Sequence, residues 1–257
     1  MKKSVRMILM LVFLLGMVIS GVQIVKYYRE EDQSESLNRE LIAQAVELVT
    51  QPQETVGVST PETAEKATGM PLNVNFDLLR EQNKDIIAWV YCPGTQINYP
   101  VVQSKDNDYY LRRLLDGKRN TAGTIFADYR NAPDFSDFNT LIYGHNMRNE
   151  TMFGTLKEYK NQAYYEAHPV WYLLTPDANY KVELVAGYLV SDNDEIYYMR
   201  QTPEEQRTHL KEAFEKSVFT AEVEIGETDK LVSFSTCERG KDDKRFVLTG
   251  ILKQIPE

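Results

Sequence analysis

Cysteine, histidine and basic charge are all scarce in this chain. Two cysteines and three histidines among 257 residues cannot build a disulfide framework, and they make a dedicated zinc site improbable. Lys and Arg together number 29 against 38 Asp and Glu, for a net charge of −9, so the basic footprint of a nucleic-acid binder is missing. No internal repeat is visible. What is present, 26% charged and 11% aromatic residues, describes a packed globule and not a disordered chain.

The charge and the apolar residues are unevenly spread. Residues 1–6 carry Lys2, Lys3 and Arg6 with no acid, and Met7 to Val25 then runs without a charge. At 1.5 Å per residue, the run spans roughly 28 Å, close to the thickness of bilayer hydrocarbon. A cleaved signal would have a shorter apolar core and a small-residue cleavage site, which Gln23-Ile24-Val25-Lys26 does not resemble. An uncleaved anchor is therefore expected over 7–25, with a cleaved signal or a buried core helix as the alternatives. Basic residues before the span and Glu30, Glu31 and Asp32 after it favour a cytoplasmic N-terminus and an exported remainder. Without the anchor, 26 basic and 38 acidic residues remain, a charge of −12.

Residues 26–72 read as an external helix and linker. Ser34–Val49 has Leu37, Leu41, Ala45 and Leu48 on a repeating face, with Ser34 as the expected N-cap. Residues 50–71, rich in threonine and proline, read as a spacer able to lift a domain off the membrane. Residues 73–257 form the expected main domain. Strands are expected at Ile86–Tyr91, Ile97–Val102, Gly123–Ala127, Thr140–Tyr143, Val170–Leu174, Lys181–Val190, Leu231–Ser235 and Arg245–Leu252. Helices are expected at Asn75–Asn83, Asp106–Leu115, Met152–Tyr165 and Pro203–Ser217. Many short strands with a few helices between them point to a mainly β barrel or sandwich with helical insertions.

Three residues at strand edges carry chemical potential. Cys237 ends the apolar run Leu231–Ser235 where the sequence turns polar, which would place a thiol rigidly but within reach of solvent; its nucleophilicity needs a nearby base or positive charge. A buried structural cysteine is the plainer reading. His145 follows the run Thr140–Tyr143 directly, after Gly144, and suits acid–base work near neutral pH; a solvated turn histidine is its alternative. Arg245 opens the last apolar strand. In a hairpin with the Cys237 strand it would return beside the thiol and donate to a developing oxyanion. Arg239 and Lys244 are local competitors for that role. His168, before Pro169, reads as structural, His209 as a solvated residue on the 203–217 helix, and Cys92 as incidental to a turn.

These residues and their flanks resemble the sortases, membrane-anchored cysteine transpeptidases of Gram-positive bacteria, and most of all class B. The carriers are Trp89 with Gly94–Gln103, Asn107–Leu111, Tyr143-Gly-His145-Asn-Met147, Ser235-Thr-Cys237-Glu238 and Arg245, in the order His, Cys, Arg. The 203–217 helix is similar to the insertion that marks class B, and Phe234 stands where many relatives have leucine. The resemblance implies an eight-stranded sortase β-barrel. It further implies that Cys237 attacks a Thr–Gly-type or Thr–Asn-type bond of a C-terminal sorting signal on surface proteins. His145 would then protonate the leaving amine, Arg245 would stabilise the oxyanion, and an amine of the peptidoglycan cross-peptide or its lipid-linked precursor would resolve the thioester. By the same resemblance Asn107, Leu111, Tyr143, Ser235 and Glu238 line the signal-peptide groove, and Tyr197 and Tyr198 cover it.

No cofactor is expected, and the acids Asp192, Asp194 and Glu195 form no recognisable ligand ladder for a metal. Two other functions remain at this stage: a hydrolytic cysteine protease that releases the same thioester to water, and a non-catalytic surface-binding domain with a structural Cys237.

Overall fold

The computed structural model describes residues 3–49, 70–199, 202–226, 229–237 and 243–256. Helix α1, Lys3–Ala45, is one continuous element of 43 residues, about 65 Å long. Its apolar stretch from Met7 to Val25 is exposed on every face. The expected break at Ser34 does not occur, because the following turns are held against the domain: Leu41 and Ala45 are buried with Leu72, Phe76, Leu79 and Trp89. Burial of a large apolar side chain contributes roughly 1.5–3 kcal/mol, enough to carry the helix through a polar segment.

Strand β1 (Val46–Leu48) follows without interruption and pairs antiparallel with β2 (Leu72–Val74), Val46 opposite Val74 and Leu48 opposite Leu72. The stretch read as a spacer, residues 50–71, joins these two strands. The chain enters and leaves that segment on neighbouring strands, with Val49 N donating to Pro71 O. Residues 50–69 themselves lie outside the described residues.

Helix α2 (Phe76–Gln82) is capped by Asn75, whose side chain accepts from the Leu78 amide. The remaining strands are β3 (Ile86–Tyr91), β4 (Asn98–Val102), β5 (Phe126–Ala127), β6 (Asn139–Tyr143), β7 (Val170–Leu174), β8 (Asn179–Ser191), β9 (Lys230–Cys237) and β10 (Lys244–Ile255). They close into an eight-stranded barrel in the order β10-β8-β7-β3-β4-β5-β6-β9, the architecture the sequence led us to expect. Val90, Val101, Ile142, Trp171, Phe234 and Phe246 belong to the cluster that fills it.

Two helical expectations fail. Within Asp106–Leu115 only the turn Tyr110–Arg112 is helical, and it is a 3-10 turn. Asp106 Oδ1 accepts from the amides of Asp108 and Tyr109, and such local bonds compete with helix propagation. Met152–Tyr165 is split into a 3-10 segment, Gly154–Lys160, and helix α3, Gln162–Ala167. The break is Asn161, extended in backbone, whose side chain caps Ala163 N.

Helix α4 (Pro203–Lys216) starts with a capping box in which Thr202 and Glu205 satisfy each other's amides. It packs on the outer wall of the barrel, where Leu210 and Ala213 meet Tyr188, Leu231 and Val247. That face takes His209 with it: the side chain is buried, contrary to the expected solvated position. His168 is structural, capping α3 while its Nδ1 donates to the Pro93 carbonyl at 3.1 Å.

Candidate active site

The site lies on the outer surface of the barrel wall, where β6 and β9 end and β10 begins. Strand residues alternate sides, so Val232 and Phe234 point into the barrel core while Ser233, Ser235 and Cys237 share the outer face. β6 runs parallel to β9 with Tyr143 opposite Ser235, and Gly144 N donates to Ser235 O. His145 and Cys237 therefore each stand two residues beyond a matched pair on adjacent strands. Asn146 Nδ2 donates to the Cys237 carbonyl at 2.8 Å, tying the histidine turn to the cysteine backbone. β10 is antiparallel to β9 with Arg245 directly opposite Cys237, as the hairpin expectation required.

These ends border a cleft of about 330 Å³ lined by Asn107, Leu111, Tyr143, His145, Tyr197, Ser235, Cys237 and Arg245. Cys237 is an exposed free thiol at its rim. The second thiol is unlike it: Cys92 is buried against Tyr159, and burial pushes its pKa up to about 11 despite hydrogen bonds from Thr95 and Tyr159.

His145 Nε2 stands 2.7 Å from the carbonyl oxygen of Leu111. A carbonyl only accepts, so Nε2 carries the hydrogen and Nδ1 is left as the basic nitrogen. Burial lowers the imidazole pKa below its usual value, the Leu111 bond opposes this, and the charge of Arg112 adds to the lowering. Two glycines make the arrangement possible. A Cβ on Gly144 would stand 2.6 Å from the buried Phe153 ring. Gly123 has a φ of +60°, and a Cβ there would stand 2.7 Å from the Leu111 carbonyl oxygen that holds His145.

On the far wall, Tyr197 hydroxyl and Ser235 Oγ are hydrogen-bonded at 2.9 Å, and the Tyr197 ring stacks on Tyr143 with centroids 6.2 Å apart. Arg245 Nη2 lies 3.9 Å from Asp192 Oδ2, which holds the guanidinium at the cleft edge.

A group that sequence reasoning missed organises this wall. Asp128 is fully buried. It accepts from Asn107 Nδ2, Tyr143 hydroxyl and the Arg130 backbone, Nε and Nη2, at 2.7–3.0 Å. Burial alone would raise its pKa; the hydrogen bonds from Arg130, Tyr143 and Asn107 outweigh that and hold the carboxyl below its ordinary value. Arg130 Nη2 also donates to Tyr197 O at 3.1 Å. One carboxylate thus fixes Asn107 and Tyr143 directly and Tyr197 through Arg130.

Of the other expected groove residues, Tyr198 does not line the cleft. The 195–197 turn aims Tyr197 at Ser235 and leaves Tyr198 59% exposed on the surface. Glu238 lies outside the described residues. Thr124, Phe126, Gly144, Asp192 and Thr236 complete the lining; their only sequence signal was their place at strand ends. Among the described residues, no group of three His, Cys, Asp or Glu side chains converges to hold a metal ion.

A family profile described as the sortase domain matches residues 90–253. Sortase B of Listeria monocytogenes is 38% identical over 178 residues, covering 68% of this chain and 72% of that protein. Sortase B of Staphylococcus aureus is 30% identical over 244 residues, covering 93% of this chain and 92% of its own length. Among solved structures, a Staphylococcus aureus sortase B crystal structure superposes with a TM-score of 0.67 at 30% identity, covering 70% of this chain and 87% of the other. A structure described as a Staphylococcus aureus sortase B–substrate complex gives a TM-score of 0.71 at 25% identity, covering 90% of this chain and all of the other. With the barrel, the cleft and these likenesses in agreement, the chain belongs to the sortase family, in its class B.

Proposed function

We propose that Cys237, His145 and Arg245 carry out the cysteine transpeptidation characteristic of this family, on a C-terminal sorting signal of surface proteins. The observation that supports this most is their convergence: three residues from three strand ends, 92 and 8 positions apart in sequence, border one cleft. In the reaction, Cys237 Sγ as thiolate attacks the scissile carbonyl carbon. Arg245 donates to the oxyanion of the tetrahedral intermediate. The C–N bond then breaks, and the leaving amine takes its proton from the His145 imidazolium, leaving a thioester on Cys237. An acceptor amine of the peptidoglycan cross-peptide, or of its lipid-linked precursor, attacks the thioester, gives a proton back to His145 and releases Cys237 as thiolate with a new amide bond.

Burial disfavours the charged imidazole of His145, so the imidazolium that protonates the leaving amine is its less favoured form in the free enzyme. Asn107, Leu111, Tyr143, Tyr197 and Ser235 bind the signal peptide along the cleft. The long apolar helix α1 fits a single-pass membrane anchor; we assign its N-terminus to the cytoplasm and the barrel to the exterior, on the distribution of basic residues. The test is product identification from a sorting-signal peptide with and without an amine. Transpeptidation gives the amide conjugate and consumes the thioester faster with amine present. Release of free acid alone, at a rate indifferent to amine, would instead identify a hydrolase.

A further inference from the structure

The two segments that hold His145 both reach α1. One runs from Leu111, whose carbonyl faces His145 Nε2, to Gly123. Near its end Asn120 is buried; its backbone N donates to Arg112 O, and its Nδ2 donates to the Glu30 carbonyl at 2.8 Å. The next amide, Thr121 N, donates to Glu30 Oε2 at 3.1 Å. The other segment is the loop that leaves His145 and returns at Phe153, whose amide donates to the His145 carbonyl. Its middle is tied to the helix by Asn149 Nδ2, which donates to Glu35 Oε1 at 2.8 Å. Glu30 and Glu35 stand about 140° apart around the helix axis, on either side of Leu41, which is buried against the barrel. One stretch of α1 therefore grips both segments.

The loop after His145 is strained and needs such a grip. Glu150 and Met152 have φ of +66° and +53°, a region that costs free energy for any residue with a side chain. The Tyr99 hydroxyl accepts from the Met152 amide at 3.2 Å, and Asn149 Oδ1 accepts from Thr151 Oγ1 at 2.7 Å. Asn149 thus binds the strained turn with its oxygen and α1 with its nitrogen. We propose that Glu30 and Glu35 are positioning residues for the reaction: from α1 they clamp the segments on both sides of His145 and fix its imidazole for proton transfer. The proposal rests on the assignment of His145 as the acid and base. It makes the helix that bears the apolar segment a working part of the site as well as a tether.

The bond between Glu35 and Asn149 supplies the test, because its direction is reversible. In the full chain in mild detergent, Glu35→Ala removes the acceptor, and Asn149→Asp removes the donor while keeping an oxygen for Thr151. Each lowers kcat for conjugate formation from a sorting-signal peptide at least about fivefold, the scale of one net hydrogen bond. Glu30→Ala, which leaves the Thr121 amide without its carboxylate, acts in the same direction. KM stays within about twofold, because Asn107 and Tyr143 are held by Asp128 and not by α1. Glu35→Gln/Asn149→Asp restores kcat, since the helix amide now donates to the loop carboxylate. Arg39→Gln removes the exposed ion pair to Glu35 at 3.7 Å but leaves Asn149 its acceptor, and it behaves as wild type. A second readout needs no turnover. The chain has three histidines, so nitrogen NMR of histidine-labelled enzyme at about pH 8, where the imidazole is neutral, distinguishes their tautomers. Wild-type His145 carries its hydrogen on Nε2; Glu35→Ala and Asn149→Asp average the two tautomers, and the double variant regains the wild-type spectrum. Wild-type kcat and tautomer in Glu35→Ala and Glu30→Ala overturn the proposal, as does a double variant no better than Asn149→Asp or an equal fall in Arg39→Gln. If wild type forms no conjugate, the transpeptidase reading fails, and the tautomer spectra still decide for or against the clamp.

Discussion

Asp128→Asn is the substitution that most severely tests how the cleft wall is built. The native carboxylate is surrounded by donors only: Arg130 three times, Tyr143 and Asn107. An amide offers one oxygen for this set and sets its own NH₂ against at least one donor, while the Arg130 guanidinium loses its counter-charge. Breaking a buried ion pair costs about 3–5 kcal/mol. Arg130 is 37% exposed, so water takes up part of its charge and the expected loss lies near the lower bound, about 3 kcal/mol. Denaturant unfolding of the full chain in mild detergent measures it. The sign with pH is fixed as well. The folded carboxyl titrates below its usual 3.8, so the stabilisation is present above that value and is lost as pH falls through the lower folded one; Asp128→Asn lacks this acid-dependent component. With a sorting-signal peptide, KM rises more than kcat falls, because Asn107, Tyr143 and Tyr197 lose their common support while Cys237 and Arg245 do not touch it. A variant within about 0.5 kcal/mol of wild type, with unchanged KM, would refute the assignment of Asp128 as the organiser of this wall.

Three further outcomes follow from the site. Gly123→Ala pushes on the Leu111 carbonyl that fixes the His145 tautomer; kcat is expected to fall at least tenfold and stability by about 1–3 kcal/mol, and wild-type kcat in this variant would contradict the proposed tautomer control. Cys92→Ala is expected to retain activity, and a thiol-reactive probe near neutral pH should label Cys237 and spare Cys92, as peptide mapping would show; strong labelling of Cys92 would mean its burial is misjudged. The depressed His145 pKa predicts that native stability falls as pH drops below about 6.5, where the unfolded imidazole takes a proton before the folded one. In His145→Asn that part of the pH dependence disappears, and an unchanged profile would assign it elsewhere.

The barrel was largely legible in the sequence because its strands are short apolar runs punctuated by turn residues. Ile86–Tyr91 and Val170–Leu174 coincide with β3 and β7. The hairpin that sets Arg245 opposite Cys237 followed from two apolar runs with a short charged connection. Failures came where contacts distant in sequence decide local structure. The polar stretch after Val25 looked like a helix boundary, but tertiary packing of Leu41 and Ala45 carries α1 through it. His209 looked solvated because nothing in its own helix indicates which face meets the barrel. The apolar residues of 106–115 have helical spacing, yet Asp106 captures the amides that would start the helix. Asp128 had no local signature at all: its partners come from residues 107, 130 and 143, and the segment it supports through Arg130 lies at 197. Only the closed barrel brings these four places together.

The central claim is that Cys237 is acylated and that an amine then takes the acyl group. Intact-mass measurement during turnover of a sorting-signal peptide, followed by peptide mapping, tests it directly. The account predicts a transient adduct with the mass of the N-terminal peptide fragment on Cys237, labile to hydroxylamine. The adduct disappears as an amide conjugate forms when acceptor amine is added, and it is absent in Cys237→Ala. Conjugate formation by Cys237→Ala, or an adduct that maps to another residue, would contradict the account.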